Sequence, residues 1–227
     1  MGRALILAAV MLIYGCDSTV DQLSTVDRAK QSLEAVLPYK DNVEYRDVRE
    51  YPGEVVCGEV NAMSRWGDGA GFRYFIVDGS KVSVDPGDDE RAIFCSADPA
   101  AGLEERFGIG PLNPQNTSLL TVHKQMKELD SALQQYFADY HDFPSNAAGL
   151  QVLLEPKKGG SQSAYLDRIP EDPWERPYIY EKPRQLHGAA KVYKLHTLGR
   201  DGAPGGRGED ADIGNGQLKY LDHIAKL

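Results

Sequence analysis

The chain has 227 residues, of which 41% are hydrophobic and 26% charged, so it can bury the core of one large domain or of two small ones. Its net charge of −9 and its pI near 5.1 argue against a general nucleic-acid-binding protein, which needs a basic surface to displace counterions from phosphates. We therefore expect no nucleic-acid partner.

The first residues have the pattern of an export signal. In MGRALILAAVMLIYGC, Arg3 precedes an apolar run that is too short to cross a bilayer as a helix, which takes about 20 residues. A charged start, an apolar centre and a small residue before the cleavage point are typical of a signal peptide, here residues 1–15. The letters IYGC resemble a bacterial lipobox, which implies that Cys16 becomes the lipidated start of a tether over 16–19. The alternative is an ordinary signal peptide followed by an unrelated cysteine.

The residue after this cysteine bears on location. Asp17 directly after Cys16 resembles the inner-membrane retention signal of enterobacterial lipoproteins. Acyl chains on Cys16 would hold the protein to a membrane through their buried methylene groups. We therefore expect a lipid-anchored protein of the bacterial cell envelope that faces the periplasm, with the inner membrane favoured.

The cysteine count supports an exported protein. The chain has three cysteines, and an unpaired thiol is a liability in an oxidising compartment. If Cys16 carries lipid, Cys57 and Cys95 remain as one pair, and we expect a disulfide between them. The alternative is two buried free thiols.

Residues 20–98 are predicted to form a small α+β module. Leu23, Val26, Leu33 and Leu37 recur at helical spacing, which predicts one helix that ends at Pro38. The period then changes, and four stretches separated by turn residues are typical of strands. These stretches are VEYRDVREY, EVVCGEVNA, FRYFIVD and KVSVD. We expect the helix to pack on an antiparallel meander, with Cys95 tied back to its second strand.

The rest of the chain is predicted to be a linker and a second domain. Residues 99–115 are rich in Gly, Pro and Ala and lack clear periodicity, which indicates an interdomain linker. The domain over 116–227 opens with apolar residues at steps of three and four from Leu119 to Tyr140, which predict one long helix. A short helix in GLQVLLEP and strands in YLDRIPEDPWERPYIYEKP and AAKVYKLHTLG follow. The fold class is therefore predicted to be α+β, with a long helix and a small antiparallel sheet in this domain.

Signatures of catalysis are missing from the sequence. It contains neither a GxSxG nor an HExxH motif, and its five histidines lack the spacing of metal ligands. The glycine-rich stretch near the C-terminus lacks the Lys-Ser/Thr of a phosphate-binding loop, and its carboxylates would repel phosphate. We therefore expect no catalytic residues and no enzymatic activity.

The stretch HTLGRDGAPGGRGEDADIGN, residues 196–215, combines six glycines with four acidic residues. The acidic residues are Asp201, Glu209, Asp210 and Asp212. Calcium binds six to eight carboxylate and carbonyl oxygens in irregular geometry, and it would offset both the charge repulsion and the entropy cost of ordering the glycines. The residues therefore point to a calcium loop, and the alternative is a solvated mobile loop.

Three stretches in this half carry a family resemblance. YFADYHDFPSNAAGLQVLL, YLDRIPEDPWERPYIY and HTLGRDGAPGGRGEDADIGN, in this order, resemble the globular domain of the major pseudopilin of type II secretion systems, the protein G family. The resemblance implies a long helix on a three- or four-stranded antiparallel sheet, with calcium in the C-terminal loop. It implies as ligands the carbonyls of Leu198 and Ala203 and the side chains of Asp201, Asp210 and Asp212. Arg200 stands where the family has a small residue, which is expected to weaken the site slightly.

The N-terminal half departs from this family. Pseudopilins begin with a prepilin cleavage motif and a hydrophobic helix, and here a signal, a lipid and the α+β module stand in that place. We therefore expect a membrane-anchored, non-enzymatic accessory or structural component of type II secretion or of a related pilus-like assembly. Its expected partners are envelope or secretion-system proteins and, through the lipid, the membrane. The alternative is a free-standing, calcium-stabilised envelope lipoprotein that acts as a binding module.

Overall fold

The computed structural model describes residues 23–40, 42–63, 71–113, 115–159, 163–184 and 191–227. The predicted signal peptide over 1–15, the lipidation site Cys16 and the tether over 16–19 lie outside the described residues. The described part contains α-helices and two antiparallel sheets, so the α+β class is confirmed.

The first part of the fold is a helix on a meander. Helix α1 (Thr25–Val36) begins at Ser24, whose side-chain oxygen accepts a hydrogen bond from the Asp27 N–H. The strands that follow are β1 (Asn42–Tyr51), β2 (Val55–Met63), β3 (Arg73–Asp78) and β4 (Lys81–Val84). They pair antiparallel in chain order. The predicted helix and meander are confirmed.

The meander is buried on both faces. Residues Ala29, Leu33 and Leu37 pack on one face, against buried side chains of β2 and β3. Neighbouring residues on these strands, including Val55 and Ile76, point to the other face and belong to a larger core. This division follows from the strand period of two, which sends successive side chains to opposite faces.

A disulfide joins the meander to the next helix. Helix α2 (Asp88–Phe94) ends at Cys95, which is bonded to Cys57 of β2 with their Cα atoms 6.0 Å apart. The predicted pair is therefore confirmed. The two cysteines are 38 residues apart, and closing such a loop in the unfolded chain adds about 3–4 kcal/mol of stability in a chain-entropy treatment.

The segment predicted to be a linker carries a helix. Helix α3 (Pro99–Phe107) begins at Asp98, whose carboxylate accepts from the Ala101 N–H, and ends at Gly108 in the left-handed region. Leu103 and Ile109 are almost fully buried. Residues 99–109 thus contribute to the core, and the positions of the domain boundaries stay a prediction.

The C-terminal half contains the predicted long helix and small sheet. Helix α4 (Thr117–Tyr140) begins at Asn116, which accepts from the Leu119 N–H. A 3-10 turn (Gly149–Leu154) follows, and then β5 (Ile179–Glu181), β6 (Lys194–Thr197) and β7 (Ile213–Gly214) pair antiparallel in that order. The chain continues into α5 (Leu218–Ile224), which the sequence pattern did not reveal.

Helix α5 lies where the two halves meet. The Tyr220 ring contacts the rings of Phe94 and Phe107, each at a centroid distance of 5.6 Å. Leu221 and His223 are fully buried. The larger core therefore runs without interruption from the meander through α2 and α3 to α4 and α5. Within the described ranges, no helix is long and apolar enough to cross a membrane.

Candidate functional site

The acidic loop between β6 and β7 is closed by a short ladder. Its ends meet where His196 pairs with Gly214 and Thr197 pairs with Ile213. The Asn215 side chain accepts a hydrogen bond from the Leu195 N–H at 3.1 Å. The ladder fixes both ends of the loop, and residues 198–212 between them are held by contacts within the loop and with neighbouring segments.

A buried carboxylate supports the start of the loop. Asp172 is 4% exposed, and one of its oxygens accepts from the backbone N–H groups of Trp174 and Arg176, both at 3.0 Å. Its other oxygen accepts from the Thr197 hydroxyl at the end of β6. This Asp-Pro-Trp turn belongs to one of the stretches that carry the family resemblance, and the Asp172 carboxylate ties the turn to the sheet.

Arg176 extends this support into the loop. Its guanidinium donates to the carbonyls of Gly199 and Arg200, the latter at 3.1 Å. Gly202 has a φ of +67°, and a Cβ there would lie 2.5 Å from the Arg176 Nη1. A side chain at position 202 would therefore strain the backbone and would force the Arg176 guanidinium to move away.

Two of the predicted ligand side chains accept hydrogen bonds from the loop backbone. Asp201 accepts from the Ala203 N–H at 3.0 Å, and Asp212 accepts from the Gly205 N–H at 2.9 Å. The second oxygen of Asp212, Oδ1, is buried and has no hydrogen-bond partner among the described residues. A buried carboxylate oxygen without a partner is costly unless a cation or water satisfies it.

The other two acidic residues contact an arginine. The Arg200 Nε lies 2.9 Å from the Asp210 Oδ1 and its Nη2 lies 3.3 Å from the Asp210 Oδ2. Its Nη1 lies 2.8 Å from the Glu209 Oε2. The pKa of Arg200 is raised first by the hydrogen bond to Asp210 and then by the charges of Asp210 and Glu209.

The loop therefore fits a calcium ion only in part. No three or more His, Cys, Asp or Glu side chains of the described residues are grouped so that they could hold a metal ion. The free Asp212 oxygen is a suitable donor for a hard cation, whereas both oxygens of Asp210 are taken by Arg200. The ligand set of Leu198, Asp201, Ala203, Asp210 and Asp212 thus stays a prediction.

The loop also rests on α3, a contact that the sequence analysis did not predict. The Gly208 N–H donates to the Gly108 carbonyl at 2.7 Å, and the Arg207 guanidinium donates to the Glu104 carbonyl at 3.1 Å. These partners are about 100 residues apart in sequence, so no local pattern could have linked them. The acidic residues of the loop were predicted from the sequence, whereas the contacts of Arg176 and Arg207 were not.

Comparison with known proteins identifies the same half of the chain. The family model of the type II secretion system protein G matches residues 113–216. The type II secretion system core protein G of Pseudomonas aeruginosa is 34% identical over 108 residues, which are 45% of this chain and 73% of that protein. The corresponding protein of Vibrio cholerae is 35% identical over 97 residues, 40% of this chain and 63% of that protein.

A solved structure gives a related match. The major pseudopilin of the type 2 secretion system of enterohaemorrhagic Escherichia coli is 28% identical, with a TM-score of 0.35, over 44% of this chain and 88% of that one. The matched family segment, 113–216, contains α4, the second sheet and the acidic loop. Because the Pseudomonas aeruginosa protein is 34% identical and is matched over 73% of its length, the chain belongs to the type II secretion system protein G family.

Proposed function

We propose that the protein is a non-enzymatic, pseudopilin-like component of type II secretion or of a related pilus-like assembly in the cell envelope. The observation that carries this proposal is the family match over residues 113–216, which includes the whole acidic loop. The polar groups beneath this loop support a structural role, because Asp172 and Arg176 are occupied in holding the turn and the loop backbone.

Loss of secretion tests this role directly. We expect deletion of the gene in its source bacterium to leave type II substrates in the periplasm, while a plasmid copy restores their release. The amounts of these substrates in culture supernatant and periplasm measure the effect. A copy with Asp172→Ala, which removes the support of the loop, should restore less secretion than a copy in which the exposed neighbour is changed, Glu171→Gln. Unchanged secretion after deletion would contradict the proposal.

The proposal includes attachment to the membrane through a lipid on Cys16. Two acyl chains would hold the chain through their buried methylenes, at about 0.8 kcal/mol for each methylene. Cys16→Ser should move the protein to the soluble fraction and abolish labelling by a fatty acid, whereas Ser18→Ala should change neither. Membrane binding that survives Cys16→Ser without label would rule out the lipid.

The proposal also includes calcium in the acidic loop. Leu198 and Ala203 would supply carbonyls, and Asp201, Asp210 and Asp212 would supply carboxylates to a hard cation, which would link the loop segments and neutralise their charge. Support comes from the buried Asp212 oxygen that has no partner in the described part of the chain. At free calcium 100-fold above the dissociation constant, the ion would stabilise the fold by about 2.7 kcal/mol.

Chelation of the full chain tests the calcium site. A chelator should lower the melting temperature and speed proteolysis between Gly199 and Gly214, and added calcium should reverse both. Asp212→Ala should remove the response, whereas Glu209→Gln, which removes a charge but no predicted ligand, should keep it. A melting temperature that changes with neither chelator nor calcium would exclude the calcium site.

A second candidate function is a free-standing envelope binding module. It is favoured by the extent of the family match, which leaves the meander, α2 and α3 outside it. The same deletion strain separates the two, because a binding module unrelated to secretion would leave substrate release unchanged. Neighbouring genes for a secretion ATPase and a secretin would favour the first function.

A further inference from the structure

The predicted ligands of the acidic loop are divided between two kinds of partner. Asp210 accepts from Arg200 through both of its oxygens, at 2.9 and 3.3 Å. Asp212 instead accepts from the Gly205 N–H and keeps its buried Oδ1 free of any described partner. The Asp210 carboxylate is therefore neutralised by Arg200, whereas Asp212 has no ion-pair partner among the described residues.

The contacts of Arg200 would have to change before a metal ion could bind. A calcium-ligating carboxylate places an oxygen 2.3–2.6 Å from the ion, and this oxygen cannot at the same time be held at full strength by a guanidinium. A second positive charge within a few ångströms would also repel the ion. Arg200 and calcium thus compete for Asp210.

The Arg200 guanidinium can dissociate from Asp210 because both side chains are accessible to water. Its side chain is 57% exposed, and that of Asp210 is 33% exposed, so water can replace each partner after they separate. The Arg200 backbone N–H donates to the Glu209 carbonyl at 2.7 Å, which keeps the arginine anchored beside the two acidic residues. A release of the guanidinium therefore requires side-chain rotation and leaves the backbone pairing in place.

We infer that Arg200 is an internal competitor for the calcium ion, a role that rests on the calcium site proposed above. The guanidinium stabilises the loop when calcium is scarce and is displaced from Asp210 when the ion binds. The consequence is a weaker apparent affinity, because calcium binds only to the fraction of molecules in which Asp210 is free. Without calcium, the ion pairs of Arg200 with Asp210 and Glu209 also keep the loop more ordered than repulsion among its carboxylates would allow.

Calorimetric titration of calcium into the chelator-stripped full chain tests this role. Arg200→Ser should tighten the apparent dissociation constant roughly threefold to tenfold, the range expected for an exposed pair plus the removed repulsion. It should also lower the melting temperature in chelator and widen the difference between chelator and calcium. The dissociation constant of Arg200→Lys should lie between those of the parent and Arg200→Ser, because lysine keeps the charge but loses the bidentate contact with Asp210.

The matched control is Arg207→Ser, which removes the same charge from the same loop. Arg207 donates to the Glu104 carbonyl, so its loss should change calcium affinity less than twofold. An equal gain from Arg207→Ser would mean that overall charge, and not competition for Asp210, sets the affinity, and would overturn the inference.

The remaining outcomes separate the two proposals. If the parent chain binds calcium and Arg200→Ser binds it equally, the inference is wrong and the calcium site stands. If neither the parent nor any of the three variants binds calcium at millimolar concentration, the calcium site and the inference fall together. Tighter binding by Arg200→Ser, with Arg200→Lys between it and the parent, supports both.

Discussion

At the scale of single residues, Asp172 links the turn before β5 to the acidic loop. Its oxygens accept from two backbone N–H groups and from the Thr197 hydroxyl, and the residue is 4% exposed. Asp172→Asn keeps the shape but loses the charge, so we expect the free energy of unfolding to fall by about 1–3 kcal/mol. Urea denaturation measures this loss, and the variant of the exposed neighbour, Glu171→Gln, should lie within about 0.5 kcal/mol of the parent.

His223 is the most deeply buried ionisable side chain of α5. It is 0% exposed, and neither ring nitrogen has a hydrogen-bond partner among the described residues. Its ring lies 4.9 Å from that of Phe94, and it also packs against the β1–β2 turn, where a Cβ on Gly53 would lie 2.8 Å from the His223 Cε1. Burial lowers the pKa of His223, with Lys226 adding to the effect and Asp78 opposing it.

This lowered pKa predicts a loss of stability in mild acid. The unfolded chain binds the proton near pH 6.5 and the folded chain only below that, so the contribution of His223 is complete above about pH 6.5. Below it, the free energy of unfolding should fall by up to about 1.4 kcal/mol per pH unit until the folded pKa is reached.

Urea denaturation at pH 7.5, 6.5 and 5.5 checks this dependence. His223→Leu should remove most of this pH dependence, because no proton can bind there, whereas His141→Asn, at an exposed position, should retain it. Asparagine suits position 141, which has a φ of 55° at the end of α4. If His223→Leu keeps the full pH dependence, another group is responsible.

At the scale of elements, α2 and α3 pack closely because α3 has a glycine, Gly102, where it faces Ala92 of α2. A Cβ on Gly102 would lie 2.7 Å from the Ala92 carbonyl oxygen, which is too close for any side chain. Gly102→Ala should therefore destabilise the protein by about 1–3 kcal/mol through overpacking, although alanine favours a helix. Thermal unfolding measures the cost. Gly216→Ala is the control, since nothing lies within 4 Å of that position, and an equal loss there would refute the packing argument.

The elements that could be predicted are those with enough residues to show a period. Helix α4 has 24 residues, and the sequences of the four meander strands are bounded by turn residues. Helices α2 and α5 have seven residues each and α3 has nine, which is too few turns for an apolar repeat to stand out. Their folding depends on burial against distant segments, which a local pattern does not contain.

The candidate site was predicted to a similar degree. The acidic residues and glycines of the loop share one stretch of sequence, so their proximity could be read directly. The support from Arg176 and the contact of Arg207 with α3 join residues 23 and 103 positions apart. Such pairs depend on the tertiary fold. The contact of Arg200 with Asp210 spans only ten positions, but its geometry required the folded loop.

At the scale of the whole molecule, the two halves share one core. Leu103 and Ile109, which precede the family match, are buried with residues of α4 and α5. The Tyr220 ring of α5 contacts Phe94 and Phe107 from the other half. The ion pair of Lys219 with Glu90, at 2.7 Å, crosses the same boundary. The hydrophobic core of the pseudopilin-like half therefore includes residues that precede the family match.

This shared core predicts that residues 113–227 are not a fully stable unit alone. Removing the earlier segments takes away the rings that pack on Tyr220 and His223, which are 4% and 0% exposed in the whole chain. Each large apolar side chain that loses its burial costs about 1.5–3 kcal/mol, so we expect a total loss of at least about 3 kcal/mol. A chain of residues 99–227, which keeps α3, should recover part of this loss, and thermal unfolding of the three chains gives the order. Equal melting temperatures for 113–227 and the whole chain would mean that the halves are independent, because a shared core cannot be cut without a cost in stability.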